Sequence, residues 1–285
     1  MRTRIIVDST TDLAPELLGQ VQVVPLTVTF GTEEYIDGVT ITHEEFYNKL
    51  IESDVLPTTS QATPAAFEPF FEEVAAAGDS AVVITLASQL SGTCQSARIA
   101  AEDYDSIYVV DSGNVTLGAG ILAEYALRCA CSGMEAAEIA ARLEQKKEDI
   151  CLIAMLDTLE YLKKGGRISA AVAFAGGLLN IKPVVNVKDG VINMLGKARG
   201  SKQGNNLLVQ EIGKTGGIDF NMPILLGYSG LSDALLKKYI ADSAPLWENG
   251  VDSLRYTSIG SVVGTHAGPG AIAAAFFHKG GKAAC

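Results

Sequence analysis

Residues 81–102 read Ala81-Val-Val-Ile-Thr-Leu86, Ala87-Ser-Gln-Leu-Ser-Gly92, Thr93-Cys-Gln-Ser-Ala-Arg-Ile-Ala-Ala-Glu102. The first six are a short apolar run bounded by polar residues, the pattern of a buried strand. The last ten carry no helix breaker and read as a helix. The six between include the hydroxyls of Ser88 and Ser91 and the amide of Gln89. In open α/β sheets, ligands sit outside the carboxyl ends of strands, where such loops meet helix N-termini. A helix start offers unpaired N–H groups and a partial positive charge. Ser91 and Thr93 add hydroxyls at the same place. The stretch therefore suits an anion held by neutral donors, although Ser91 could equally be an ordinary cap of its own helix.

Outward from this stretch the alternation continues. Arg4 to Asp8 (RIIVD) and Ser106 to Asp111 (SIYVVD) read as strands, both ending in Asp-Ser. Val21 to Phe30 alternates like a strand. Thr42 and Glu45 have capping-box spacing and predict a helix over 44–53. Pro57 and Pro64 bracket a polar segment, and Pro64 suits the first helical position after Thr63. In the helix that follows, Phe67, Phe70, Phe71 and Val74 share one side. Helices are predicted over 116–130 and from the Ser132/Glu135 cap to about Lys147. Gly118-Ala-Gly120-x-x-Ala123 matches the dinucleotide fingerprint by letters. It lies too far past a strand, and close helix packing explains it better.

Pattern shifts near Asp149. Ile150 to Leu156 is a predicted strand, Asp157 to Lys164 a helix ending at Gly165-Gly166, and Ser169 to Leu179 an apolar helix. A hairpin turns at Asp189-Gly190, and the basic segment Gly196 to Lys202 leads into a helix. Pro223 to Tyr228 and Leu254 to Ser258 are strands around a helix over 232–247. A glycine-rich loop over 260–270 then precedes an alanine-rich helix. Alternation in both halves predicts an α/β protein of two domains, residues 1–150 and 151–285, with mostly parallel sheets and a ligand cleft between them.

Composition bounds the partners. With 285 residues, 48% hydrophobic and 19% charged, the chain can bury a real core. Its net charge of −11 argues against nucleic acid or an anionic membrane as the main partner, leaving at most transient membrane contact. It also means that an anionic ligand needs local donors. The five cysteines, odd in number and without Cys-x-x-Cys, are expected as thiols in a cytoplasmic protein. The opening MRTRIIVDS runs straight into a strand, with no secretory pattern. No apolar run approaches the roughly 20 residues that span a bilayer.

Conventional catalysis finds little support. Gly227-Tyr-Ser229-Gly-Leu231 fails the nucleophile-elbow pattern at its last position. Of the three histidines, His43, His266 and His278, only His266 falls in a glycine-rich segment. No ligand cluster suggests a metal, no Lys-Ser/Thr completes a phosphate loop, and no cofactor is expected. A stand-alone acyl transferase or hydrolase using His266 with a loop serine, Ser229 or Ser91, is the enzymatic alternative. Small-molecule binding fits better: two polar loops, around Thr59 and Ser91, flank apolar elements, and Arg167, Arg199 and His266 add loop positive groups. Burying a long acyl tail at about 0.8 kcal/mol per methylene leaves useful affinity after ordering costs, without a strong ion pair.

Five blocks in order carry a likeness to a known family: Asp8-Ser-Thr-Thr-Asp12, Pro57-Thr-Thr-Ser-Gln61, Leu90-Ser-Gly-Thr-Cys-Gln-Ser96, Asp157 through Ser169, and Gly264-Thr-His-Ala-Gly-Pro-Gly270. Through them, nearly the whole chain resembles the DegV family of bacterial fatty-acid-binding proteins. The resemblance implies two α/β domains with one long-chain fatty acid buried between them. It implies that Thr59 and Ser91 hydrogen-bond the carboxylate, with Ser60 and Gly92 beside them and Arg167 near the site. It also implies a carrier, not an enzyme, that presents its fatty acid to a separate kinase subunit feeding phospholipid metabolism. Arg199 and His266 would then sit at the mouth and serve the transfer. Gly200 to Asn206 departs from the more basic helix start usual in the family. Without the resemblance, Arg167 could only cap the helix before it, and His266 could merely be held by its loop.

Overall fold

The computed structural model describes residues 2–168, 180–247 and 250–279. Strands β1 (Thr3–Asp8), β2 (Gln22–Val24), β6 (Ser80–Thr85) and β7 (Ile107–Asp111) form a parallel sheet in the order β2-β1-β6-β7. Every residue of β6 is buried, as a central strand with both faces covered requires. Because the sheet is parallel, the loops after Asp8, Thr85 and Asp111 open at one edge.

The alternation of Val21 to Phe30 does not make one strand. Pro25, which has no N–H to give a ladder, separates β2 from β3 (Thr27–Phe30). β3 joins β4 (Glu33–Ile36) and β5 (Thr58–Ser60) in an antiparallel sheet, order β4-β3-β5, with Thr59 opposite Val28. Helix α1 (His43–Glu52) starts at the expected capping box: Glu45 N–H donates to Thr42 Oγ1 at 3.2 Å and Thr42 N–H to Glu45 Oε2 at 2.8 Å. Helix α2 (Pro64–Ala76) begins with Pro64, and its Phe67, Phe71 and Val74 are core. Helix α3 (Thr93–Ala101) follows the loop after β6.

Helix α4 (Leu117–Cys131) is buried nearly all round. Its Leu117, Ile121 and Leu122 share one cluster with Ile5, Val7 and Ile84 of the parallel sheet and with Leu152, Leu225 and Ala275 of a second sheet. Gly118 and Gly120 allow this packing. A β-carbon on Gly118 would strike the Asn114 side chain, and one on Gly120 the Asp12 carbonyl. Helix α5 (Ala136–Lys146) follows, without the Ser132 cap: Ser132 Oγ instead donates to the Cys129 carbonyl at 2.7 Å.

The second sheet contains β8 (Ile150–Met155), β9 (Ile181–Lys188), β10 (Val191–Arg199), β11 (Ile224–Tyr228), β12 (Tyr256–Ser258) and β13 (Ile272–Phe277), in the order β10-β9-β8-β13-β11-β12. The expectation of mostly parallel sheets fails here. Only β11 and β12 pair in parallel, and the other four pairings are antiparallel. The cause is twofold. The β9–β10 hairpin turns directly at Asp189 (φ 52°) and Gly190 (φ 74°), and the C-terminal segment returns as β13 into the sheet centre. Alanine propensity had suggested a helix for that segment. Burial on both faces, between β8 and β11, overrides it.

Helices α6 (Glu160–Lys164), α7 (Gly200–Lys214), α8 (Ala234–Asp242) and α9 (Ser261–Ala267) complete the described α-helices. The expected glycine-rich loop is thus partly α9, and the helix expected from Ser169 to Leu179 lies outside the described residues. Cys94, Cys129 and Cys131 are free thiols.

Candidate functional site

One cavity of about 250 Å³ is walled by the second sheet, by β5 of the antiparallel sheet and by the loops at the carboxyl edge of the parallel sheet. Thr59, Ser60, Ser91, Gly92, Arg167 and His266, all expected at the site, line it together. Arg199 does not. It is exposed at the end of β10, where its N–H donates to Gln203 Oε1 at 3.1 Å as α7 begins.

Each donor is positioned by its element. The β3–β5 pairing sets Thr59, and its Oγ1 lies 2.9 Å from His266 Nε2. Ser91 stands at the start of α3. Its Oγ accepts from Thr93 N–H at 3.3 Å and pairs with Thr93 Oγ1 at 3.0 Å, so the capping role and a place in the cavity wall coexist. Gln61 locks the two loops together. Its amide nitrogen donates to Ser96 Oγ at 3.1 Å, and its amide oxygen occupies the space a β-carbon on Gly92 would need. Gln61 carries no charge and no catalytic pattern, so only its place in the Pro57–Gln61 block marked it in the sequence.

Arg167 follows the positive-φ Gly166 at the end of α6. Its Nη1 donates to the Gly165 carbonyl at 2.7 Å, the predicted cap, and its Nε to the Leu90 carbonyl at 3.2 Å. One guanidinium therefore ties the α6 end to the loop carrying Ser91. Helices α6 and α9 interlock beside it. His266 Nδ1 fills the space next to Gly165, and the Tyr161 ring the space next to Gly268.

His266 is on the last turn of α9, not in a loop. Burial, reinforced by the nearby positive charge of Arg167, lowers its pKa to about 4. The ring is therefore neutral near pH 7. Its buried Nδ1 has no hydrogen-bond partner among the described residues. Carrying the proton on Nε2 avoids an orphan N–H at Nδ1. Nε2–H then donates to Thr59 Oγ1, and the Thr59 hydroxyl proton is free to point into the cavity.

This arrangement does not assemble an acid–base pair with a serine. Ser229 Oγ donates to the Gly268 carbonyl at 2.6 Å and accepts from Ala271 N–H at 2.8 Å. Ser91 is engaged with Thr93. An imidazole with a pKa near 4 and no carboxylate behind it is a weak base at neutral pH. No group of His, Cys, Asp and Glu among the described residues could hold a metal ion.

Behind the polar end, the wall is mostly apolar: Leu152, Ala154, Leu156, Val185, Val187 and Ile192 on the second-sheet side, broken by the buried amide of Asn186, with Leu86 and Val115 opposite. Two further wall residues, Thr10 and Thr116, are held by buried carboxylates. Thr10 Oγ1 donates to Asp8 Oδ1 at 2.6 Å, and Thr116 Oγ1 to Asp12 Oδ2 at 2.5 Å. Asp12 also accepts from Gly260 N–H at 2.9 Å, next to α9. Burial raises the Asp8 carboxyl to about 6 and the Asp12 carboxyl to about 8. The sequence offered the Asp8–Asp12 block as a likeness but gave no sign of this supporting role. The site is thus one cation, several neutral donors and a long apolar wall, which suits an amphipathic anion.

Comparison with known proteins agrees. The family model described as "Uncharacterised protein, DegV family" matches residues 2–279. A DegV domain-containing protein of Caldanaerobacter subterraneus subsp. tengcongensis is 35% identical over 281 residues, covering 96% of this chain and 98% of its own. One of Deinococcus radiodurans is 34% identical over 282 residues, with the same coverage, 96% and 98%. Among solved structures, a DegV family protein from Thermus thermophilus, described for its fatty acid binding, superposes with a TM-score of 0.84. It is 32% identical, and the match covers 97% of this chain and 100% of that one. A stearic acid-binding protein from Eubacterium ventriosum gives a TM-score of 0.83 at 28% identity, covering 97% and 98%.

Proposed function

The chain belongs to the DegV family, and from that premise we propose that it binds one long-chain fatty acid in the cavity described above. Thr59 and Ser91 hydrogen-bond the carboxylate, Ser60 and Gly92 stand beside them, and Arg167 and His266 complete the polar end. The acyl chain runs along the apolar wall. The observation that carries this reading is the convergence of hydroxyls from residues 59 and 91, with Arg167 and His266, at one end of one apolar cavity. The fatty acids bound by the solved relatives support it.

The protein acts in this reading as a carrier in the cytoplasm, with residues 1–150 and 151–285 as its two domains. No helix among the described residues is long and apolar enough to cross a membrane. Handing the carboxylate to a fatty acid kinase subunit, for phospholipid metabolism, is the finer part of the proposal and rests on the family likeness. Arg199, outside the cavity, would act in that step from the surface.

Native mass spectrometry after gentle purification tests the binding. The expected result is a 1:1 mass addition in the fatty-acid range. A protein that stays empty when offered palmitate and oleate refutes it. For the finer part, a DegV-partner kinase with ATP should phosphorylate the loaded ligand, and slower turnover is expected with Arg199→Ala. Turnover by the kinase unaffected by this protein would remove the presenting role.

A further inference from the structure

The floor of the cavity has a step in it. On the cavity face of the second sheet, residues fall in rows across the strands, because register pairs Ala273 with Ala154 and Ala154 with Val185. One row toward the polar end lie Ala271 and Leu156, next to α9 and its His266. One row the other way, just past the last paired position of β8 and β9, Leu152 comes beside Val187, and Val187 is flanked across the hairpin by Ile192. Across β13, β8 and β9 the middle row is Ala273, Ala154 and Val185 and the far row is Ala275, Leu152 and Val187, so the step is the change from Ala154 to Leu152 on β8. Along β8 and β9 the surroundings change at the same place, although Ala273 of the middle row already packs in the main core. Leu156, Val185 and Ala271 belong to a small cluster around the cavity. Leu152 and Val187 belong to the main core under α4, with Leu117 and Ile121. The far side is closed as well, because the hairpin tip at Gly190 rests on Ala87 and Gln89.

The geometry points to Leu152 as the residue that sets the maximum acyl-chain length this protein accepts. This rests on the fatty-acid reading above and specifies its substrate class. Leu152 lies on β8 and Leu156 directly follows it, four positions on, so the floor runs about 13 Å before the step. A tail that stops short of the step gains affinity with each added methylene, about fourfold per group by transfer free energy. A tail that reaches it must displace packed core, and the gain stops or reverses.

The experiment is a series of straight saturated fatty acids from ten to twenty carbons, with dissociation constants measured for the full-length protein and two variants. Leu152→Ala opens the far row, and the chain length of tightest binding should move about two carbons longer. Ala154→Val raises the middle row, and the optimum should move shorter by a similar step. Should Leu152→Ala not fold, Ala154→Val decides alone. Folded variants that keep the wild-type optimum overturn the assignment. Wild-type protein that binds no member of the series overturns the fatty-acid reading and this proposal with it. Binding with an unmoved optimum overturns this proposal only.

Discussion

Thr59 Oγ1 and His266 Nε2 lie 2.9 Å apart although 207 positions separate them in the chain. The contact joins the small antiparallel sheet to α9. A neutral imidazole donating to Thr59 turns a flexible hydroxyl into an oriented donor. Hydrogen bonds to a charged acceptor contribute about 1.5–3 kcal/mol. Thr59→Ala should therefore weaken fatty-acid binding about ten- to hundredfold, and Thr59→Ala with Ser91→Ala further still. Displacement of a fluorescent fatty acid, with circular dichroism to confirm folding, reads this out. Unchanged affinity in the double variant would place the carboxylate elsewhere.

Proton linkage provides a second test. In the unliganded protein His266 titrates at about 4, pushed down by burial and then by Arg167. A bound carboxylate adds negative charge beside the ring and offsets the repulsion from Arg167, so the pKa rises on binding. Near pH 5 the loaded protein should then hold a larger fraction of a proton on His266 than the empty one. Titration calorimetry in two buffers of different ionisation heat should show greater proton uptake for wild type than for His266→Gln. Equal uptake would mean that the carboxylate is not near this ring.

Gly165 tests the same group from behind. A β-carbon there would collide with His266 Nδ1, and Gly165 has ordinary negative φ, so alanine brings no backbone strain of its own. Gly165→Ala should leave the fold standing, push the imidazole off Thr59 and weaken binding about tenfold, the loss of roughly one well-formed hydrogen bond. Gly213→Ala, where nothing lies within 4 Å, is the control and should bind as wild type. Matching affinities for both variants would show that His266 placement does not matter.

Much of this arrangement was legible in the sequence, and the failures have a pattern. The capping box at Thr42, the turn at Asp189-Gly190 and the buried strand read over 81–86 and found at Ser80–Thr85 depend on neighbours in the chain, and all are present. Thr59, Ser91, Arg167 and His266 converge as the motifs implied. What failed depends on distant partners. Ala273, Ala274 and Ala275 prefer a helix locally, yet form the middle of a sheet because β8 and β11 bury them on both sides. The direction of the second sheet follows from that return, which no local signal records. Arg199, expected at the mouth to serve transfer to a partner, lies exposed at the end of β10 and outside the cavity wall. Asp12 could be seen as part of a block, while its bonds to Thr116 and Gly260 span 104 and 248 positions.

Asp12 provides the last prediction. It is buried, and its two oxygens hold Thr116, a non-glycine residue at φ 49°, and the N–H that precedes α9. Burial raises its carboxyl from 3.8 to about 8, against the opposing effect of both hydrogen bonds. A folded-state pKa above the unfolded one means that the folded protein binds more protons between those values. The stabilising contribution is complete below about pH 4 and is lost as pH rises through about 8. Asp8, raised by burial to about 6, adds a shorter slope of the same sign, and His266, lowered, adds one of opposite sign between about 4 and 6.5. Comparing wild type with Asp12→Asn removes both, since they are common to the two proteins. The difference in urea midpoint between them should shift against wild type as pH goes from 5 to 8, even if Asn costs some stability throughout by misplacing one donor. Parallel midpoints across that range would show that Asp12 ionises in the folded protein much as it does in the unfolded chain.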